Sequence, residues 1–208
     1  MADVIVVTAP DEFQKKFGVK VFLAGGITNC PNWQKDVIEC VKKHFNLYCN
    51  EDLYVNEKYG NHADLVIFNP RRENFPIHDP SAAKEQIEWE FNALEKCDVF
   101  SMYFSSGESD QPICMYELGR NICRMQDKSI YWKSRIVVTV ENGYRRKDDV
   151  IIQSRLAADL DIPVFSDEIG YEGYILSHAT RILEAYQDYL DWRYSTPLSS
   201  SSQNYLHW

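Results

Sequence analysis

Residues 99–119 read VFSMYFSSGESDQPICMYELG, and this stretch sets the architecture. Val99 to Phe104 is an apolar and aromatic run of strand length. The pattern breaks at Ser105, Ser106 and Gly107, passes through Asp110, Gln111 and Pro112, and resumes at Ile113 with helical spacing. The segment therefore reads as strand, polar loop, helix. Ligands of open α/β sheets bind at the carboxyl ends of such strands. Glu117 falls in the first or second turn of the helix, where the macrodipole favours an ionised carboxylate. Its position leaves two roles open: balancing the helix dipole, or serving a ligand as nucleophile or cation stabiliser.

Upstream, Val4 to Val7 is a short β-branched run ended by Ala9 and Pro10, and Val19 to Ala24 is a second strand. Gly25 and Gly26 follow directly, a pair that lets backbone approach a ligand closely. No further glycine or Lys-Ser/Thr follows, so the turn is neither a Walker loop nor a dinucleotide fingerprint. Asn32 is a plausible cap for a helix carrying Trp33, Val37, Ile38, Val41 and Phe45. Leu47 to Cys49 reads as a brief strand, and Asn50 to Ala63 as loop or weak helix. Asp64 to Asn69 is a buried-type strand that ends in Pro70, Arg71 and Arg72. Paired arginines at a strand end serve surface ion pairs or face a ligand.

Ser81 to Lys96 has a capping signature at Ser81 and a core stripe of Ile87, Trp89, Phe91 and Leu94. It also carries Glu90, a second carboxylate available for acid/base work. Beyond the central unit come a helix from Ile113 to Met125, a strand from Arg135 to Val140, and a turn at Asn142 and Gly143. A helix over Lys147 to Leu160, a short strand over Ile162 to Phe165 and a long helix from Tyr171 to Tyr194 complete the pattern. Strands alternating with helices predict an α/β three-layer sandwich, flavodoxin-like or Rossmann-like, with a parallel sheet of about five strands. Residues 1–194 are expected to form one domain, with 195–208 as a Ser-rich tail.

The 208 residues carry a net charge of −9, which argues against a nucleic-acid polymer or an anionic membrane surface as main partner. No apolar run approaches the roughly 20 residues of a membrane span, and no basic leader precedes Val4, so a cytoplasmic location is expected. Six cysteines form no C-x-x-C pair, which favours reduced, mostly buried thiols over zinc or disulfides. Cys114 sits near a helix N-terminus, where a thiol pKa can fall, but no neighbouring histidine supplies a base.

Several pieces occur in order between residues 19 and 140: Val21 to Ile27, Asn32-Trp33-Gln34, Asn69-Pro70-Arg71-Arg72, Gln86, Trp89-Glu90, Asp98-Val99 and Tyr116-Glu117-Leu118-Gly119-Arg120. This set resembles the nucleoside 2-deoxyribosyltransferase family and its nucleotide N-glycosidase relatives. The resemblance implies that Glu117 is the nucleophile. It also implies that Glu90, eight positions before Asp98, contacts the base and shuttles its proton. Phe22 stands where several members have a tyrosine near the nucleophile. Asp110 or Gln111 would bind the sugar hydroxyls. Gly25, Gly26, Trp33, Asn69 and Arg71 complete the expected substrate contacts.

The implied reaction is two-carboxylate glycosyl transfer, and it needs neither metal nor cofactor. The partners would be a nucleoside or nucleotide and a free nucleobase, in a homo-oligomer of at least two chains whose neighbour closes the pocket. The helix Tyr171 to Tyr194 is one candidate contact. Glu108 and Asp110 would repel a 5′-phosphate, whereas Arg71, Arg72 and Arg120 would attract one. Hydrolysis of nucleoside 5′-monophosphates or NAD-like nucleotides, and nucleotide sensing without turnover, are the alternatives to transfer.

Overall fold

The computed structural model describes residues 2–13, 17–50, 64–126 and 131–195. In chain order these give β1 (Val4–Thr8), β2 (Val19–Gly25), α1 (Trp33–Asn50), β3 (Leu65–Asn69), α2 (Pro80–Lys96), β4 (Val99–Phe104) and α3 (Pro112–Gln126). A 3-10 turn (Trp132–Arg135) then leads to β5 (Ile136–Val140), α4 (Lys147–Ala158) and α5 (Tyr171–Ser195). The strands form one sheet in the order β1-β3-β2-β4-β5, with every pairing parallel. The α/β three-layer expectation holds.

Side chains alternate across each strand, and the two faces collect different helices. Val21 and Leu23 of β2 join Val37 and Val41 of α1 and Ile182 and Leu190 of α5. Phe22 and Ala24 turn the other way, onto Trp89 of α2, Leu118 and Ile122 of α3 and Val150 of α4. Both β4 and β5 are buried along their whole length, as strands covered on both faces must be. The chain leaves β2 over α1 to reach β3, then returns over α2 to pair β4 on the far side of β2. That reversal opens a crevice at the carboxyl ends of β2 and β4.

Several local expectations are corrected. Leu47 to Cys49 continue α1, and Asn50 is its last residue; positions 51–63 lie outside the described residues. Asp79, not Ser81, caps α2: its carboxylate accepts from Ser81 N at 2.8 Å and from Ser81 Oγ at 2.7 Å. Ile87 and Phe91 are exposed, because the buried side of α2 is Ala82, Trp89, Ala93 and Leu94. α4 stops at Ala158, where Asp159 adopts a left-handed conformation with φ of 50°. Arg135 closes the 3-10 turn instead of opening β5.

Among the described residues, 162–165 pair with no strand. Ile162 packs into the core, and the carbonyl of Phe165 accepts from the Asn142 side chain. The apolar stripe of α5 (Tyr174, Ile182, Tyr186, Leu190) is spent on the sheet and α1 within the chain. Residues 196–208 lie outside the described residues. Cys30, Cys40, Cys97, Cys114 and Cys123 are free thiols, with Cys123 exposed. No helix among the described residues is long and apolar enough to cross a membrane.

Candidate active site

The switch point between β2 and β4 holds a cavity of about 240 Å³. Its floor is Phe22 and Ala24 of β2, and one wall is the Gly25-Gly26-Ile27-Thr28 turn. Opposite stand Gln111, Cys114 and Glu117 from the start of α3, while Pro70 and Glu90 close the side toward α2. Residues far apart in sequence meet here because the carboxyl ends of neighbouring strands do.

The glycine pair is required by space. Gly25 has φ of +152°, and a Cβ there would lie 2.4 Å from the Tyr103 carbonyl and 2.5 Å from the Trp33 ring. A Cβ on Gly26 would sit 2.5 Å from Cys30 Sγ and 2.6 Å from Gln111 Oε1. Trp33 is fully buried, stacks on Tyr103 at 4.9 Å, and donates its indole N–H to the Gly26 carbonyl at 2.9 Å. It does not line the cavity; it fixes the backbone that does.

Gln111 is buried with φ of 45°. Its Oε1 accepts from Gly26 N at 3.2 Å, and its Nε2 donates to the Ser105 carbonyl at 2.8 Å. The side chain thus ties the β4–α3 loop to the glycine turn. Asp110 points elsewhere: its carboxylate is exposed and pairs with Arg145 at 2.8 Å. Between these two neighbours, Gln111 is the one in the cavity.

Asn69 and Arg71 also lie outside the lining. Asn69 Oδ1 accepts from Arg71 N at 3.1 Å. The Arg71 guanidinium holds the loop before α1, through the Pro31 carbonyl at 2.6 Å and Gln34 Oε1 at 3.2 Å. Arg72 donates to Gln86 and Glu85. Arg120 pairs with Glu95 and lies over the Phe91 ring at 4.7 Å.

The two glutamates come from different helices. Glu117 is in the second turn of α3, one turn beyond Cys114 and beside buried Leu118, so it sits at the border of the buried face. Burial pushes its carboxyl up to about 7, the Glu90 charge adds to this, and Arg120 opposes it. Glu90 is also raised, again by burial, against the Gln86 hydrogen bond and the Arg72 charge. Coupled carboxyls titrate as a pair, and burial favours the protonated form of both. Burial and the Glu117 charge lift the Cys114 thiol to about 12, the reverse of the fall its helix position predicts. That favours the thiol over the thiolate. Among the described residues no group of three His, Cys, Asp or Glu side chains is placed to hold a metal ion.

Sequence reading passes over Cys114, Pro70 and Ser109 as lining residues, and gives Gln86 no role. For Gln86 a signal exists: it stands four positions before Glu90, one helical turn away. For the others there is none, since only the packed fold brings them together.

A half-buried carboxylate pair facing one small cavity is equipped for covalent displacement with proton transfer. The model of a family described as "Nucleoside 2-deoxyribosyltransferase like" matches residues 18–135, which is 118 of the 208 residues. No curated protein matches the chain.

Proposed function

The chain belongs to the nucleoside 2-deoxyribosyltransferase-like family, and on that footing we propose that it moves a 2-deoxyribosyl group between nucleobases through a glycosyl ester on Glu117. The observation that carries the reading is the joint placement of Glu117 and Glu90 on one cavity at the sheet's switch point. A Glu117 oxygen attacks C1′ as the C1′–N bond breaks, and the bond's electron pair leaves with the base. Glu90 gives its proton to the departing ring nitrogen. An incoming base then attacks C1′ from the face the first one left, Glu90 takes its proton, and Glu117 is released. The deoxy sugar lacks the electron-withdrawing 2′-hydroxyl, so positive charge builds at C1′ more easily, and the ionised form of Glu117 faces it.

Two features favour a nucleoside over the alternatives. Arg71, Arg72 and Arg120 are each engaged by protein groups, so none is a free anchor for a 5′-phosphate. A cavity of about 240 Å³ is small beside the roughly 300–1,000 Å³ of pockets for drug-sized ligands, which suits a nucleoside better than a dinucleotide. The reaction is assigned to the cytoplasm and to one folded unit spanning 1–194.

A second copy of the chain is expected against α2 and α3, where Ile87, Phe91, Ile113 and Tyr116 are all more than half exposed. Light scattering should find a dimer or larger assembly that Tyr116→Glu weakens; a monomer at micromolar concentration contradicts this.

The test of function is base exchange and base release with a deoxynucleoside, with and without a free base. Glu117→Ala should lower both by at least about a thousandfold with circular dichroism unchanged. Full activity in that variant overturns the assignment.

A further inference from the structure

The side chains behind Glu90 form a chain of directed contacts. Arg72, whose side chain is 9% exposed, donates its NH2 to Glu85 Oε2 at 2.8 Å and its Nε to Gln86 Oε1 at 2.7 Å. Gln86 Nε2 has two hydrogens, and both are used: one on the Pro70 carbonyl at 2.7 Å, the other on Glu90 Oε1 at 2.7 Å. The amide cannot turn over. A flip would set its oxygen against the Pro70 carbonyl and Glu90 Oε1, both acceptors, and its NH2 against the Arg72 donor.

We infer that Gln86, locked by Arg72 and Pro70, is a positioning residue that reserves Glu90 Oε1 as an acceptor and so fixes the transferable proton on Oε2. This rests on the proposed function, in which Glu90 is the proton donor, and deepens it. An oxygen that accepts from an amide N–H is the poorer site for a proton, so the carboxyl ionises and reprotonates at one oxygen only. The contact also opposes the burial that raises this carboxyl. Its loss leaves Glu90 harder to ionise and free to rotate, so that its proton is no longer held in one direction.

Leaving-group chemistry separates positioning from mere structure. Gln86→Leu removes the donor at similar size. Gln86→Glu keeps the acceptor for Arg72 but has nothing to donate to Glu90. With a natural deoxynucleoside, whose base must be protonated to leave, both variants should lose roughly tenfold to a hundredfold in kcat, within the range a general acid contributes. With a 2-deoxyriboside of 4-nitrophenol, which departs as a stable anion, they should stay within about threefold of the unmodified enzyme. An equal loss on both substrates in variants of unchanged circular dichroism, or no loss on either, overturns the positioning role. A carbon-13 titration of the labelled Glu90 carboxyl reads the contact without turnover: Gln86→Leu should raise its midpoint, and an unmoved midpoint contradicts the inference. If the unmodified enzyme cleaves neither substrate while that midpoint still moves, the functional assignment has failed and the contact stands.

Discussion

At the scale of single residues, the account turns on one proton shared between two carboxyls. The productive form is the singly protonated pair, with Glu117 charged toward the sugar and Glu90 acidic toward the base. Activity should therefore fall on the alkaline side as the shared proton is lost, a limb that burial of the two carboxyls moves above the ordinary carboxylate range. Glu90→Gln should abolish that limb and lower kcat on natural deoxynucleosides by about a hundredfold or more. A flat profile from pH 6 to 9 in the unmodified enzyme contradicts the shared-proton picture. Phe22 adds an apolar floor and no hydroxyl, so the tuning of Glu117 falls to burial, Glu90 and Arg120.

Elements position these residues, and here the sequence was informative in proportion to how local the cause is. β4 and α3 are legible because a continuous apolar run, a Ser-Gly break and a resumed helical period are all near neighbours. The direction of Gln111 over Asp110 is not, since it depends on a left-handed residue and a hydrogen bond to Gly26, 85 positions away. The exposure of Ile87 and Phe91 is equally invisible: their spacing suits a core stripe, and only the packing of Trp89 under Phe13, Phe22 and Phe68 decides which side of α2 is buried. Trp33 shows the reverse case, a motif residue that serves the site through its backbone. Trp33→Phe keeps the ring stack but strands the Gly26 carbonyl, so it should cost about 1–2 kcal/mol in denaturant unfolding and lower kcat/KM. Unchanged stability and rate would mean that the turn holds itself.

The whole molecule carries opposing electrostatic demands that bound the pH in which it is stable. His178 is fully buried between Ser101 Oγ at 2.7 Å and Thr139 Oγ1 at 2.8 Å, and burial drives its pKa down to about 3 from 6.5. The unfolded chain takes a proton there first, so this group's stabilisation is complete above about pH 6.5 and drains as pH falls, at about 1.4 kcal/mol per unit down to about 3. Glu117 works the other way: its folded value is raised from 4.5 to about 7, so stability is lost as pH rises through that range. Glu117→Gln should therefore raise the melting temperature at pH 8 more than at pH 5, by up to about 3 kcal/mol in stability; an equal effect at both values contradicts the raised pKa of this half-buried carboxyl. The stability forgone sits at the proposed nucleophile, where a functional site is expected to hold it. The most direct test is to mix the protein with a deoxynucleoside and no acceptor base, quench in acid, and map the peptides by mass spectrometry. The account predicts one deoxyribosyl unit on the peptide containing Glu117, absent in Glu117→Ala and cleared when a free base is added before the quench. Base released over many turnovers with no such adduct, or an adduct carried by another side chain, would contradict it.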